Sequence, residues 1–247
     1  MQNQKLKDKL AFVTGGARGI GRETCLALAE WGADLVVSDI DAAGAEATAK
    51  EASAKGVKAE GLKLDVSSVS EIQKTLKEVA KKYGRIDIIV NSAGIGPTTP
   101  VLDIDEEHWN RVMDINIKGT FFVCQEAIRI MLEKQIPGRI VNLASMAGES
   151  GGRAISADYS VTKGGVIALT KTLARHFGAY NILVNAVAPG VIETEMTKEW
   201  RAKSLKEIPM KRFGDPREVA TVIRFLVSDD ASYVNGEVVR INGGQYL

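Results

Sequence analysis

Short apolar runs alternate with amphipathic helical patterns along most of the chain. Strands are predicted at 10–16, 34–39, 57–66, 86–94, 139–144, 181–187 and 237–241, and helices at about 21–32, 42–55, 69–84, 106–134, 158–179 and 216–227. The apolar runs are rich in Val, Ile and Leu, which is typical of parallel strands buried on both faces. The alternation predicts an α/β fold with a doubly wound parallel sheet of about seven strands and helices on both faces. Because no linker or low-complexity tract interrupts it, we expect residues 1–247 to form a single domain.

Composition and charge are those of an ordinary globular protein. Of the 247 residues, 45% are hydrophobic and 26% are charged, and the formal net charge is +1. This balance gives no general attraction to nucleic acid or to an anionic membrane. No apolar run reaches the roughly 18 residues that a membrane span needs, and the polar start of the chain does not resemble a signal peptide. We therefore expect a soluble, cytoplasmic protein without nucleic-acid or membrane partners.

The cysteine and histidine residues do not have the spacing of a disulfide framework or a metal site. Cys25 and Cys124 lie in separate apolar helical patterns and form no CxxC motif, so buried structural thiols are expected. His108 and His176 are far apart on predicted helices, with no HxxxH pair. We predict that the protein binds no metal.

The first predicted strand runs into a glycine-rich turn, TGGARGIG, at 14–21. Glycines let the backbone turn tightly and approach a pyrophosphate, whose negative charge is favoured at the N-terminus of the following helix. A simple strand–helix turn could use the same residues. Gly15, Gly19 and Gly21 in this position nevertheless favour nucleotide binding.

Acidic and small residues follow the next three strands. Asp39 ends the second strand, eighteen residues beyond Gly21, where a carboxylate can accept hydrogen bonds from both hydroxyls of an adenosine ribose and repel a 2′-phosphate. Asp41, in contrast, is interpreted as a solvated turn residue. Asp65 follows the third strand and could face an adenine. The residues after the fourth strand where a cofactor would pass are Asn91, Ala93 and Gly94.

Three polar side chains are candidates for chemistry. Tyr159 and Lys163, in ADYSVTKGG, are one helical turn apart and share a helix face. The pair alone is common in helices and carries little weight. Ser145 follows the fifth strand, fourteen residues before Tyr159, so a loop could bring the two hydroxyl groups together.

Taken together, the motifs resemble those of the short-chain dehydrogenase/reductase family. TGxxxGxG, an acid after strand two, NxAG, Asn116 in MDINIKG, a serine, YxxxK and PGVIET occur in the family's order and cover essentially the whole chain. The resemblance implies a Rossmann-type NAD(P)-binding domain, with the substrate site formed by strand-end loops and the 190–212 segment. It also implies an oxidoreductase that interconverts a secondary alcohol and a ketone by hydride transfer.

The resemblance assigns roles to individual residues. Tyr159 corresponds to the acid/base, Ser145 to the group that hydrogen-bonds the substrate oxygen, and Lys163 to the group that tunes the tyrosine and binds the nicotinamide ribose. Asn116 corresponds to a residue that holds a water linking the lysine to solvent, and Thr194 to one that contacts the nicotinamide amide. The expected cofactor-binding residues are Gly15, Arg18, Gly19, Ile20, Gly21, Asp39, Asp65, Val66, Asn91, Ala93, Gly94, Tyr159, Lys163, Pro189, Gly190, Ile192 and Thr194.

The chemistry explains why a tyrosine would need a lysine beside it. Free tyrosine has a pKa of about 10, which is too high for a good base near neutral pH. Lowering that pKa by about three units requires about 4 kcal/mol of preferential stabilisation of the phenolate. A nearby ammonium and an oxidised nicotinamide can supply an energy of this order in a partly desolvated cleft.

Cofactor and substrate follow less directly from the sequence. Asp39 favours NAD, although Arg18 lies where some NADP-preferring relatives carry a basic residue; we expect NAD because the acid repels a 2′-phosphate directly. The C-terminal half most resembles 3-oxoacyl-[acyl-carrier-protein] reductases. Those enzymes commonly prefer NADPH, and many carry arginines near the surface that docks the carrier protein. The corresponding positions of this chain are Lys134, Gln135, Ile136, Pro137 and Tyr180. We expect an NAD-linked enzyme that interconverts a secondary alcohol and a ketone, with a 3-oxoacyl thioester as one candidate substrate. A small secondary alcohol, a polyol or sugar, and a steroid alcohol are alternative substrates. A non-catalytic, nucleotide-binding regulator is an alternative of a different class.

Two further expectations concern surfaces. The loop 148–158 should line the substrate side, and its Arg153 could meet an anionic group or simply face solvent. Helices at 117–134 and 159–177 are apolar on more than one face, so one face can cover the sheet and another can meet a second subunit. We predict a homotetramer, as is common in the family.

Overall fold

Seven parallel strands form one sheet in a computed structural model, which describes residues 5–152 and 154–247. The strands are β1 (Leu10–Thr14), β2 (Asp34–Asp39), β3 (Ala59–Lys63), β4 (Ile88–Asn91), β5 (Gly138–Leu143), β6 (Ile182–Pro189) and β7 (Val238–Ile241). Their order is β3-β2-β1-β4-β5-β6-β7, and every neighbouring pair is parallel. The order reverses between β1 and β4, which is where parallel sheets of this kind bind ligands at the carboxyl ends of their strands.

Helices connect successive strands. They are α1 (Gly19–Ala29), α2 (Ala42–Ser53), α3 (Val69–Tyr83), α4 (Glu106–Met113), α5 (Gly119–Glu133), α6 (Ala147–Ser150), α7 (Ala157–Phe177), α8 (Arg201–Ser204) and α9 (Pro216–Leu226). A π-helical turn, Asp114–Lys118, joins α4 to α5. Short 3₁₀ turns lie at Val101–Asp103, Gly178–Tyr180, Glu195–Thr197, Leu205–Glu207 and Asp229–Ala231.

The sheet separates two hydrophobic layers. Along β1, Ala11 and Val13 pack into the layer formed with α1, α2 and α9, whereas Leu10 and Phe12 pack into the layer formed with α3, α5 and α7. Successive residues of a strand point to opposite faces, so a strand that is apolar throughout is covered on both sides. The predicted doubly wound parallel fold is confirmed.

The predicted elements are all present, but they differ in their ends, in one interruption and in two additional short helices. The strands expected at 57–66 and 86–94 are shorter at both ends, Ala59–Lys63 and Ile88–Asn91. The helical stretch expected at 106–134 contains the π-helical turn. Two short helices were not predicted from the sequence pattern: α6, after β5, and α8, beyond β6.

Both cysteines are buried free thiols, as expected. Burial raises the pKa of Cys25, and it raises that of Cys124 to about 12, so neither thiol ionises near neutral pH. No three His, Cys, Asp or Glu side chains come together as a metal site within the described ranges. Helices long and apolar enough to cross a membrane are also absent from those ranges.

Candidate active site

A cleft of about 1240 Å³ opens at the carboxyl ends of the strands. Its walls come from the loops after β1, β2, β3, β4, β5 and β6, together with the first turns of α7. The sequence-predicted site residues that line it are Gly15, Arg18, Gly19, Ile20, Gly21, Asp39, Asp65, Val66, Ala93, Gly94, Ser145, Tyr159, Lys163, Pro189, Gly190, Ile192 and Thr194. The first and last of these predicted residues, Gly15 and Thr194, are 179 positions apart in sequence and share one cleft.

The glycine-rich turn is shaped to approach a ligand closely. Gly15 and Gly19 have φ angles of +67° and +56°, a region that favours glycine. A Cβ atom on Gly15 would lie 2.6 Å from the backbone nitrogen of Ala93, and one on Gly21 would lie 2.0 Å from the Gly15 carbonyl oxygen. The N-cap of α1, Arg18, makes no side-chain hydrogen bond to the helix in the described structure, so backbone N–H groups of the first turn remain available. The turn fits a pyrophosphate group.

Asp39 is held at the end of β2 by backbone amides. Its Oδ2 accepts a hydrogen bond from the Ala17 N–H (3.0 Å), and its Oδ1 accepts one from the Asp41 N–H (3.0 Å). The carboxylate therefore has a defined place beside the glycine-rich turn. Asp41 is exposed and caps α2 by accepting from the Gly44 N–H, which agrees with its interpretation as a turn residue.

Ser145, Tyr159 and Lys163 meet in the wall of the cleft. The Ser145 Oγ accepts a hydrogen bond from the Ala147 N–H (3.1 Å), which fixes the hydroxyl after β5. Lys163 donates to the Leu143 carbonyl oxygen (2.6 Å), and its Nζ lies 5.6 Å from the centroid of the Tyr159 ring. The one-turn spacing seen in the sequence therefore places the ammonium beside the phenol.

The pKa shifts of these groups have identifiable causes. Burial raises the pKa of the Tyr159 phenol, and a hydrogen bond with the Ser145 side chain offsets part of that rise. Burial lowers the pKa of Lys163 to about 8. A lowered tyrosine pKa was expected from the sequence, whereas in this structure desolvation of the phenol is the largest influence and raises the pKa; the Lys163 ammonium is bonded to the Leu143 carbonyl oxygen. The resulting phenol is protonated at neutral pH and can act as an acid.

Asn116 lies behind the wall of the cleft, in the π-helical turn between α4 and α5. Its side chain accepts from the Ile95 N–H (2.9 Å) and donates to the Ile95 carbonyl (2.9 Å) and to the Thr162 hydroxyl (3.3 Å). A Cβ atom on Gly94 would lie 3.2 Å from the Asn116 Oδ1 and 3.7 Å from the Lys163 Nζ. The asparagine thus holds the loop after β4 against α7, close to the lysine.

Asn91 also lies behind the cleft. Its amide nitrogen donates to the Asn142 Oδ1 (2.8 Å) and contacts the Cys124 Sγ at 3.2 Å. Side chains alternate along a strand, and this last residue of β4 points into the layer beneath the sheet. The cleft surface after β4 is formed by the residues that follow it, among them Ala93 and Gly94.

Several lining residues were not named individually from the sequence. Met196 and Arg201 lie in the 190–212 segment that was expected to form part of the substrate site, whereas Gln245 and Tyr246 come from the C-terminal end of the chain, which was not expected there. Arg201 contacts the Glu193 carboxylate at 3.0 Å and donates to the Thr194 carbonyl (3.3 Å), so it ties this segment together. No local motif marks these positions, because they reach the cleft only through packing. Arg153, expected on the substrate side, lies outside the described residues.

The chain is similar to known proteins over nearly its whole length. A family model described as enoyl-(acyl carrier protein) reductase matches residues 15–245. The 3-oxoacyl-[acyl-carrier-protein] reductases FabG of Thermotoga maritima and Aquifex aeolicus are each 42% identical, over 97% and 98% of this chain and 98% and 99% of theirs.

Two solved structures are also similar. One is described as a putative short-chain alcohol dehydrogenase from Sinorhizobium meliloti (TM-score 0.91, 36% identity, 97% of each chain). The other is described as a short-chain type dehydrogenase/reductase from Mycobacterium marinum (TM-score 0.93, 32% identity, 99% of this chain and 98% of that one).

Proposed function

The chain belongs to the short-chain dehydrogenase/reductase family, and we propose that it reduces the ketone of a 3-oxoacyl thioester to a secondary alcohol. Family membership makes it an oxidoreductase that binds a nicotinamide cofactor. The observation that carries the proposal is the meeting of the Ser145 and Tyr159 hydroxyls beside the Lys163 ammonium. The names of the Thermotoga and Aquifex relatives support a 3-oxoacyl thioester as the substrate.

In this reaction Tyr159 supplies a proton to the ketone oxygen. Its raised pKa keeps the phenol protonated at neutral pH, and Ser145 donates a second hydrogen bond to the same oxygen as charge develops there. The Ala147 N–H occupies a lone pair of the Ser145 hydroxyl, and the hydroxyl faces Tyr159, so its hydrogen can turn from the phenol to the substrate oxygen when substrate binds. When bound, the cofactor supplies the hydride.

Lys163 stabilises the charge that remains on Tyr159 after proton transfer. With a pKa of about 8, it carries a positive charge for most of the time at neutral pH. A positive charge near a phenolate lowers the energy of the ionised form. We assign Asn116 to the same site, because it holds the backbone of Ile95 and the Thr162 hydroxyl around the lysine.

We propose NAD(H) as the cofactor in preference to NADP(H). The support is the fixed carboxylate of Asp39, which lies in the cleft beside the glycine-rich turn and would repel a 2′-phosphate. The exposed Arg18 lies in the same wall and is the residue that would favour the phosphate.

The substrate proposal is tested by initial-rate assays with acetoacetyl-CoA, crotonyl-CoA, small ketones, polyols and steroid alcohols, each with both nicotinamide cofactors. We expect the highest kcat/KM with acetoacetyl-CoA and NADH. A higher kcat/KM for crotonyl-CoA would instead identify an enoyl reductase, and a higher value for a polyol or steroid alcohol would refute the thioester.

Asp39→Asn is expected to narrow the preference for NADH over NADPH. The amide keeps the size of the side chain and one of its two acceptor oxygens but removes the charge. The NADH/NADPH ratio of kcat/KM should therefore fall about 5- to 10-fold, a screened charge effect at short range. Asp41→Asn, at the exposed neighbouring turn, is the matched control and should leave the ratio unchanged. An unaltered ratio in Asp39→Asn would mean that the carboxylate does not select the cofactor.

We also propose that the protein is a homotetramer. An apolar groove at the outer surface of α5 and α7 supports this, and the Phe121 side chain is exposed in it. The groove is lined by Met113, Ile117, Lys118, Phe121, Phe122, Gly165 and Leu169. A second copy could cover this apolar surface. Light scattering should give about four times the 26.6 kDa chain mass, and a monomer mass would rule the proposal out.

A further inference from the structure

Asp158, the residue before Tyr159, is completely buried although it carries a carboxyl group. Its Oδ1 accepts a hydrogen bond from the Tyr159 backbone N–H (2.9 Å). Its Oδ2 lies 3.0 Å from the Nε2 atom of His108. A buried carboxylate is costly unless its oxygens have partners. Within the described part of the chain, His108 is the side chain that faces Oδ2.

His108 reaches this position from a well-defined turn. It is the third residue of α4, and its backbone N–H donates to the capping carboxylate of Asp105 (2.8 Å). The cap fixes the first turn of α4, and therefore the backbone position from which the His108 imidazole extends. The His108 Nε2 and the Asp158 Oδ2 are both buried atoms, and although the contact is off the ideal hydrogen-bond direction, neither has a better partner among the described residues. Each therefore depends on the other for compensation.

The contact between His108 and Asp158 is one of two that α7 makes with the α4–α5 segment along the same helix face. Asp158 and Thr162 are four residues apart, share one face of the helix, and are completely buried. Asp158 faces His108 on α4, and the Thr162 hydroxyl accepts from Asn116 in the π-helical turn. Each of these contacts comes one residue before a side chain in the cleft, Tyr159 or Lys163. The first two turns of α7 are thus attached to the α4–α5 segment next to the reactive groups.

We propose that His108 and Asp158 are a positioning pair for Tyr159, which rests on the function proposed above. The pair holds the first turn of α7 against α4, so that the phenol stays within reach of Ser145. Both side chains lie behind the wall of the cleft, and they act through Tyr159 without contacting substrate. A small displacement of a proton donor is sufficient to slow a reaction strongly.

His108→Leu should lower kcat for acetoacetyl-CoA reduction about 10- to 100-fold, the effect expected of a misplaced donor. KM for the thioester and Kd for NADH should change by less than about threefold, since both binding surfaces remain intact. His108→Gln should restore kcat to within about threefold of wild type, because its amide nitrogen can take the place of Nε2. His176→Leu, at the exposed last turn of α7, is the matched control and should be unchanged.

The variant His108→Leu/Asp158→Asn separates positioning from a general loss of packing. It contains no unpartnered carboxylate, so its kcat should exceed that of His108→Leu, and the two changes should be strongly non-additive. All assays are made well below the melting temperature of each variant. Wild-type kcat in His108→Leu, a loss confined to KM, or failure of His108→Gln to restore kcat would each overturn the proposal.

The outcome also distinguishes this proposal from the proposed function. If the wild-type protein reduces none of the ketones tested, the proposed function fails. The pairing itself is then measured by a double-mutant cycle on the free energy of unfolding, with the same single and double variants. A coupling indistinguishable from zero would show that His108 and Asp158 do not interact, whatever the reaction.

Discussion

Tyr159→Phe is expected to lower kcat for acetoacetyl-CoA reduction by about 10²- to 10⁴-fold, the range for loss of a general acid. The substitution removes only the hydroxyl that faces Ser145 and leaves the ring in the cleft wall. Binding of NADH, measured by fluorescence titration, should stay close to that of the wild type, because the glycine-rich turn and Asp39 are unaffected. The loss should therefore appear in kcat and not in the cofactor Kd.

The control for Tyr159→Phe is Tyr180→Phe. Tyr180 lies on an exposed turn after α7, with 61% of its surface accessible, so removal of its hydroxyl should not change kcat. Turnover at the wild-type rate in Tyr159→Phe would refute the proposed proton donor. Loss of NADH binding in the same variant would show that the tyrosine acts mainly in cofactor binding.

Lys163→Met is expected to lower kcat about 10²- to 10³-fold, as for loss of an electrostatic stabiliser in an active site. The same variant should not melt below the wild type at pH 7. Burial lowers the pKa of Lys163 from 10.5 to about 8, which means that folding disfavours its charged form by about 3 kcal/mol. Methionine removes this cost, and the lost hydrogen bond to Leu143 offsets only about 1 to 3 kcal/mol of the gain.

The pH dependence of the two melting temperatures tests the same argument. A lysine with a depressed folded-state pKa destabilises the fold fully below about pH 8, where it is charged in both states. Between about 8 and 10.5 the unfolded chain binds more protons than the folded one, so the wild type gains stability as the pH rises. The advantage of Lys163→Met should therefore shrink across this interval.

Calorimetry at intervals between pH 6.5 and 10 provides the measurement, with Lys171→Met as the control. Lys171 is exposed on α7, and its replacement should affect neither kcat nor the pH dependence of melting. A large fall in the melting temperature of Lys163→Met at pH 7 would show that the lysine stabilises the fold, contrary to the direction of its pKa shift.

The fold was largely predictable from the sequence, and so was the location of the cleft. Strands such as Val36–Val37 and Ile88–Ile89 are apolar on both faces, and this local signal indicates a covered parallel strand wherever it occurs. Once parallel strands are predicted, their carboxyl ends must share one edge of the sheet. Gly15, Asp39 and Ser145 could therefore be assigned to one cleft before the structure was known.

The orientation of individual side chains was less predictable. Asn91 was expected to contact the cofactor, and it lies behind the cleft with its amide bonded to Asn142. Asn116 was expected to hold a water beside the lysine, and its amide is bonded to the Ile95 backbone, also behind the cleft. The sign of the Tyr159 pKa shift also depended on how deeply the phenol is buried, which no sequence spacing gives. The roles proposed for all of these residues in binding and catalysis remain predictions.

The sequence by itself determined the order of strands and helices, the glycine-rich turn and the one-turn spacing of Tyr159 and Lys163, because these depend on periodicity and backbone preferences over a few residues. The tertiary structure decided which distant groups meet: Lys163 with the Leu143 carbonyl, His108 with Asp158, and Gln245 with the cleft. Such contacts depend on strand register and helix packing. A change of about 1 Å in either makes or breaks them, and local sequence patterns do not specify distances to that accuracy.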